Sequence, residues 1–383
     1  MKLALVPTLG VLALVSSAAN AQEVAKGLFL DGWADNVAKY TTQDNAPGGG
    51  ATLATQKTDL VDFSANAKIK LSWKPTDKIT GFVGVKFNNN STKTDKVTGA
   101  TTSDSQAYLQ ESYASVALGN DLTWTMGKYI AHVGYVSAEP TGLYRVNGST
   151  IGALLYANDV IGTNLAWAPK DVPFTGSFHV VNGFFNSKDT FNDTSVESGA
   201  TDAKRSDLGL GMDLIYSLPD SKGFINLEFA WDPASSAGKS AAGYPSDIFL
   251  AGLNGEFNAT DKLKFGSEFI YKASKNADVD DAGKPVDKAD VEFLALVNYK
   301  LPTTLPASST LMYQQLNNNF GTKSGVSAPV THEISAAILT NPFGSDKLGI
   351  NGEIAYAFVD GDNKTNVQDG QTVISLEALV VIP

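Results

Sequence analysis

The chain contains no cysteine, and only two arginines and three histidines occur in its 383 residues. Without cysteine there is neither a thiol nucleophile nor a disulfide framework. A sheet closed on itself, with no strand edge left unpaired, is one way for a chain of this length to gain stability instead. The histidines, His132, His179 and His332, fall in no H-E-x-x-H pattern, and the common metal-site spacings are absent with it. Gly209-Leu210-Gly211 sits in the middle of an expected strand, without the strand-to-helix context of a dinucleotide loop. No enzyme chemistry, cofactor or metal is therefore expected. A formal net charge of -11 argues against a nucleic-acid partner, which would require clustered lysine and arginine. Beyond the first residues no stretch approaches about 20 apolar residues, so no helix is expected to cross a membrane.

Residues 1–21 have the form of a secretory signal peptide: Lys2, an apolar run from Leu3 to Val15, and Ala19-Asn20-Ala21 as the cleavage signal. Residues 22–383 then form the mature chain. Within it, Phe63, Ala65, Ala67, Ile69, Leu71 and Trp73 alternate with Ser64, Asn66, Lys68, Lys70 and Ser72. A period of two over about ten residues is a β-strand with one dry and one wet face. Lys74–Lys78 makes a proline-bearing turn, and Ile79, Gly81, Val83, Val85 and Phe87 resume the apolar row. The same pattern recurs through sixteen expected strands, beginning with 25–38 and ending with 371–382.

The connections carry more information than the strands. Short turns, such as Gly119-Asn120-Asp121 and Ala259–Asp261, alternate with long polar connections, such as 39–60, 130–159, 185–205 and 274–289. Every second turn being minimal is the asymmetry of a transmembrane β-barrel with short periplasmic turns and long external loops. Aromatic residues concentrate at strand ends, among them Trp73, Trp124, Trp167 and Phe224 by short turns. Tyr129, Phe184, Trp231 and Phe249 stand by long ones. Two such girdles are what membrane interfaces select. The fold class expected is all-β: an antiparallel transmembrane barrel of about sixteen strands.

Gly127-Lys128-Tyr129, opening a long connection through Gly134-Tyr135 and Tyr144-Arg145, resembles the β-barrel porin-2 (OmpL-like) family, as does Val180-Val181-Asn182-Gly183. That resemblance implies a diffusion channel in the outer membrane of a diderm bacterium. Barrels of this kind commonly end in phenylalanine, whereas this chain ends Val380-Val381-Ile382-Pro383. The partners expected are outer-membrane lipid and lipopolysaccharide, small hydrophilic solutes and ions, and, by analogy with sixteen-stranded porins, two further copies in a homotrimer.

Sixteen strands leave room for water inside. A constriction would come from the connection 130–159, which carries Glu139, Tyr144, Arg145 and Asp159; an external loop that never enters the barrel is an equal alternative. Lys68, Lys70 and Lys86 share the expected inner face of adjacent strands. Asp213, Glu228, Glu256, Glu268, Glu292 and Glu353 lie on the inner faces of later ones. Opposed charges across a narrow pore set up a transverse field that orients polar solutes. Two rival readings remain: a channel specific for a sugar or an anion, and a secreted β-sandwich adhesin with a shared dry core.

Overall fold

Alternation sustained along sixteen segments folds the chain into a closed antiparallel sheet, apart from which Lys93–Thr94 and Thr101–Thr102 pair as a small separate ladder. The computed structural model describes residues 21–44, 57–90, 93–94, 101–102, 105–131, 133–135, 143–146, 159–185, 208–233, 247–279, 284–317, 330–343, 347–360 and 370–382. The barrel strands are β1 (Leu28–Asp44), β2 (Lys57–Thr76), β3 (Ile79–Asn90), β4 (Ser105–Gly119), β5 (Leu122–Ile130), β6 (Asp159–Trp167), β7 (Phe174–Val181) and β8 (Gly209–Ser217). They continue with β9 (Gly223–Asp232), β10 (Ile248–Asn258), β11 (Leu263–Val279), β12 (Pro285–Lys300), β13 (Ala307–Asn317), β14 (Val330–Thr340), β15 (Leu348–Asp360) and β16 (Gln371–Ile382). Each pairs with its neighbours in sequence, and β16 closes on β1 from Ile382↔Gly32 to Gln371↔Gln43. The leader expected at residues 1–21 lies outside the described residues, except for Ala21.

The first expected strand divides in two. Gln22–Ala25 is a separate four-residue strand laid against β1, and the chain turns at Gly27, whose φ of +72° favours glycine. Several connections expected to be long are in part strand. Residues 41–44 of β1 pair with 57–60 of β2, and Asp278↔Val286 extends the β11–β12 ladder past an irregularity after Ser274. These polar ladder ends carry no apolar face, so alternation could not reveal them. Among the described residues the short turns are as tight as expected. At Asn120-Asp121 both central residues have positive φ, 51° and 59°, the twist that suits a two-residue hairpin.

The apolar rows face outward. On β9, Leu227 is 41% exposed while Glu228 beside it is 2% exposed, and Ile225, Phe229 and Trp231 share the outer face. Comparable outward rows run round the ring, from Ile69, Leu71 and Trp73 to Ile350, Ile354 and Tyr356. A β-sandwich buries its apolar rows between two sheets. This single closed sheet turns them out, so the sandwich alternative fails. Three girdle assignments are corrected: Tyr129, Phe184 and Phe224 point into the barrel and are buried. Tyr129 and Phe224 stand at strand ends at the inward-facing parity, and Phe184 follows the end of β7 in a turn that folds inward.

Candidate functional site

The connection between β5 and β6 turns into the barrel rather than away from it. Where described, it places Val133–Tyr135 and 143–146 inside the sheet, and Tyr135, Arg145 and Val146 are buried. Gly134 has a φ of +104°, which few other residues would adopt, and its N–H donates to Glu228 Oε2 at 2.8 Å. The next amide, of Tyr135, donates to Glu268 Oε1 at 2.5 Å. Two successive backbone donors thus meet carboxylates from two strands, β9 and β11. Asn226 and Asn254 donate to the other oxygen of Glu228 at 2.7 and 2.5 Å, which fixes that side chain.

Between these strands, Glu256 of β10 collects the rest of the strap. Its Oε1 accepts from the hydroxyls of Tyr135 (2.9 Å) and Tyr144 (2.5 Å). Lys264 Nζ lies 2.7 Å from its Oε2 and donates to the Tyr144 hydroxyl at 2.6 Å. Burial, and then the Glu256 charge, push both tyrosine hydroxyls well above the usual range, so they remain protonated donors. Gly266 leaves the space that the Tyr135 hydroxyl occupies, for a Cβ there would collide with it. Farther along the strap, the Arg145 guanidinium pairs with Glu333 of β14 and donates to Ser335 at 2.9 Å. Its Nε lies 3.3 Å from Glu353 of β15. The strap therefore crosses the interior from β5 to β9–β11 and on to β14–β15.

Glu228, Glu256 and Glu268 are brought together on adjoining strands, and Arg145 is joined to Glu353. Lys68 is fully buried in an ion pair with Glu111, which takes its charge out of the basic patch. Lys86 lies directly across from Lys68 and 5.9 Å above the Trp33 ring, and Lys70 is opposite Asp31. Asp213 stands apart with Ser177 and His179 on β7, and Glu292 lies between Ile270 and Leu316. Glu139 lies outside the described residues, and Asp159 begins β6 rather than belonging to the strap. Sequence reasoning missed Glu111, Glu333 and the Tyr135 hydroxyl. Inward parity could have flagged Glu333; Glu111 is hidden by a register shift between Gly84 and Val85 on its partner strand.

Ser177, His179 and Asp213 are the arrangement closest to catalytic chemistry. Ser177 Oγ is 2.6 Å from His179 Nε2, but Asp213 contacts the same nitrogen at 3.4 Å as well as the serine hydroxyl. The Nδ1 that a relay carboxylate must hold faces Tyr129 and Asn164 instead. The group is a buried hydrogen-bond cluster without relay geometry.

Burial is uneven around the inner wall. Inner residues at the centres of β7–β15, from Ser177 to Glu353, are almost all buried. On β1–β3 Trp33, Asp35, Lys68 and Phe82 are buried too, but Asp31, Asn66, Lys70, Lys86 and Asn88 are only half-buried. The strap's anchors fall on the first arc, and the half-buried polar residues gather on the second.

No family model and no curated sequence matches the chain. Its fold matches outer-membrane channels of known structure. The channel DcaP of Acinetobacter baumannii aligns with a TM-score of 0.64 at 13% identity, over 94% of this chain and 99% of that one. An anion-selective porin from Comamonas acidovorans gives 0.61 at 12% identity, over 93% and 99%. OprB of Pseudomonas putida gives 0.60 at 10%, over 92% and 94%. A closed β-barrel with this fold and an apolar exterior is an outer-membrane protein.

Proposed function

We propose that the chain is an outer-membrane porin, a water-filled channel through which ions and small hydrophilic solutes diffuse passively. One observation carries this: a strap tied across the interior to β9–β11 and β14–β15 narrows the barrel, while the arc β1–β3 keeps half-open polar side chains. A plug would cover the wall all round.

Selectivity follows from where the charges lie on the inner wall. Glu228, Glu256, Glu268, Glu333 and Glu353 hold the strap, and Lys68 is neutralised by Glu111. Lys70, Lys86 and Asp31, half-buried on β1–β3, line the path and set its charge preference by their position, the remaining acids acting at a distance. Lipid and lipopolysaccharide contact the outward apolar belt. A homotrimer and membership of the OmpL-like porin family complete the proposal, the first by analogy of strand number and the second from the short segments at Gly127–Tyr129 and Val180–Gly183.

Single-channel recording of the purified protein in a planar bilayer under a salt gradient tests it. Stable ohmic steps are expected, and the sign of the reversal potential reports the selectivity. Folded protein that gives no steps overturns the open channel. Saturable block of the steps by one sugar or anion would favour a specific channel instead.

A further inference from the structure

We propose that the turn Gly183–Phe185 is a second constriction element, in series with the strap and seated by Asp232 and by a glycine socket on β8. The proposal rests on the channel reading and deepens it, by assigning the residues that set the solute size limit nearer the external mouth.

Past the end of β7, Gly183 takes a φ of +98° and directs the chain inward. The Phe184 amide donates to both oxygens of Asp232, at 2.8 and 2.9 Å, and the Phe185 amide donates to Oδ2 at 2.8 Å. Two consecutive backbone donors on one carboxylate, itself 5% exposed at the end of β9, form a built anchor rather than a chance contact. The same device, adjacent amides on inner-wall carboxylates, holds the strap at Gly134 and Tyr135.

Phe184 is 1% exposed, and its ring stands over the inner face of β8. A Cβ on Gly211 would strike the ring tip, and one on Gly209 would lie 2.9 Å from Gly183 Cα and 3.1 Å from Phe184 Cδ2. The Gly209-Leu210-Gly211 sequence, which has no dinucleotide-loop context, is thus the socket for this ring. Lys272 Nζ covers the Phe185 ring at 4.1 Å and completes the seat from β11.

The strap starts at the depth of this turn and runs deeper. Phe184 clusters with Val181, Ala230 and Leu250, at strand ends that lead into long connections, and Val133 of the strap packs against the same cluster. Tyr135 clusters with Ile215 and Phe224, nearer the short turns. A solute entering from outside meets the Phe184–Phe185 turn before it reaches Tyr135.

The test is size exclusion by neutral polyethylene glycols of graded length, read from single-channel conductance of the whole barrel. Phe184→Ala removes the ring and keeps the anchor; Asp232→Ala removes the anchor and keeps the ring. Both are expected to raise unitary conductance and shift the polymer cut-off to larger sizes, with folding checked by heat-modifiable mobility on gels. A purely packing role would lower thermal stability and leave the cut-off in place, and that result for the two folded variants overturns the proposal. If one variant fails to fold, the other decides. A silent wild-type protein overturns the channel reading and this proposal with it, whereas a conducting wild type with unmoved variants overturns this proposal alone.

Discussion

Replacing Arg145 with alanine should release the far half of the strap while its near half stays docked. The guanidinium is buried, 3% exposed, and faces Glu333, Ser335 and Glu353. Removing one partner of a buried ion pair costs about 3–5 kcal/mol, because the remaining carboxylates stay buried without a counter-charge. At about 1.4 kcal/mol per tenfold, the balance between docked and released strap shifts by roughly two to three and a half powers of ten. The anchors at Gly134, Tyr135 and Tyr144 do not involve Arg145 and remain. Single-channel records of Arg145→Ala should therefore show higher unitary conductance and new open-state noise. Adding Glu333→Gln and Glu353→Gln removes the uncompensated charges, so thermal stability should recover while the conductance stays high. An Arg145→Ala barrel that is fully folded and conducts like the wild type refutes the assignment of Arg145 as the strap's far anchor.

Three further outcomes are expected. Lys70→Gln with Lys86→Gln should move the reversal potential toward cation preference, whereas Glu228→Gln, whose carboxylate faces the strap, should move it far less. Leu227→Arg places a charge on the lipid face at mid-strand and should cost about 2–4 kcal/mol in a bilayer folding equilibrium; a neutral result would mean that this face does not meet lipid. Because burial and Glu256 raise the Tyr135 and Tyr144 hydroxyls, their contribution to stability is complete below about pH 10. It falls as pH rises above that value, since an unfolded chain releases protons that the folded one keeps. Ultraviolet titration of the wild type against Tyr135→Phe and Tyr144→Phe should show these two hydroxyls ionising last, and early ionisation of either would contradict the site.

The hairpin from Phe63 to Asn88 could be read in the sequence because lipid on one side and water on the other impose a period of two. Beyond the apolar belt that contrast vanishes, and the ladder at 41–44 and 57–60 left no pattern to follow. Tyr144 and Arg145 were visible as unusual residues in a long connection, but their partners were not. Arg145 meets Glu333 and Ser335 nearly half the chain away, and no local signal encodes such a contact. Phe184 was misassigned for a related reason: an aromatic at a strand end suits an interface girdle, and only the glycines of β8 reveal a seat inside.

The pairing of β16 with β1 bears on how the barrel is made. Until Gln371–Ile382 is in place, the growing sheet has two raw edges, at β1 and at the last strand added, each a row of unsatisfied amides and carbonyls. The contact that heals both joins residues more than three hundred positions apart, so closing it carries the loop-closure entropy of nearly the whole chain. A ribosome-fresh chain must therefore be kept from sticking to its neighbours throughout its passage to the membrane, and a truncation that trims β16 should leave an adhesive sheet rather than a smaller pore.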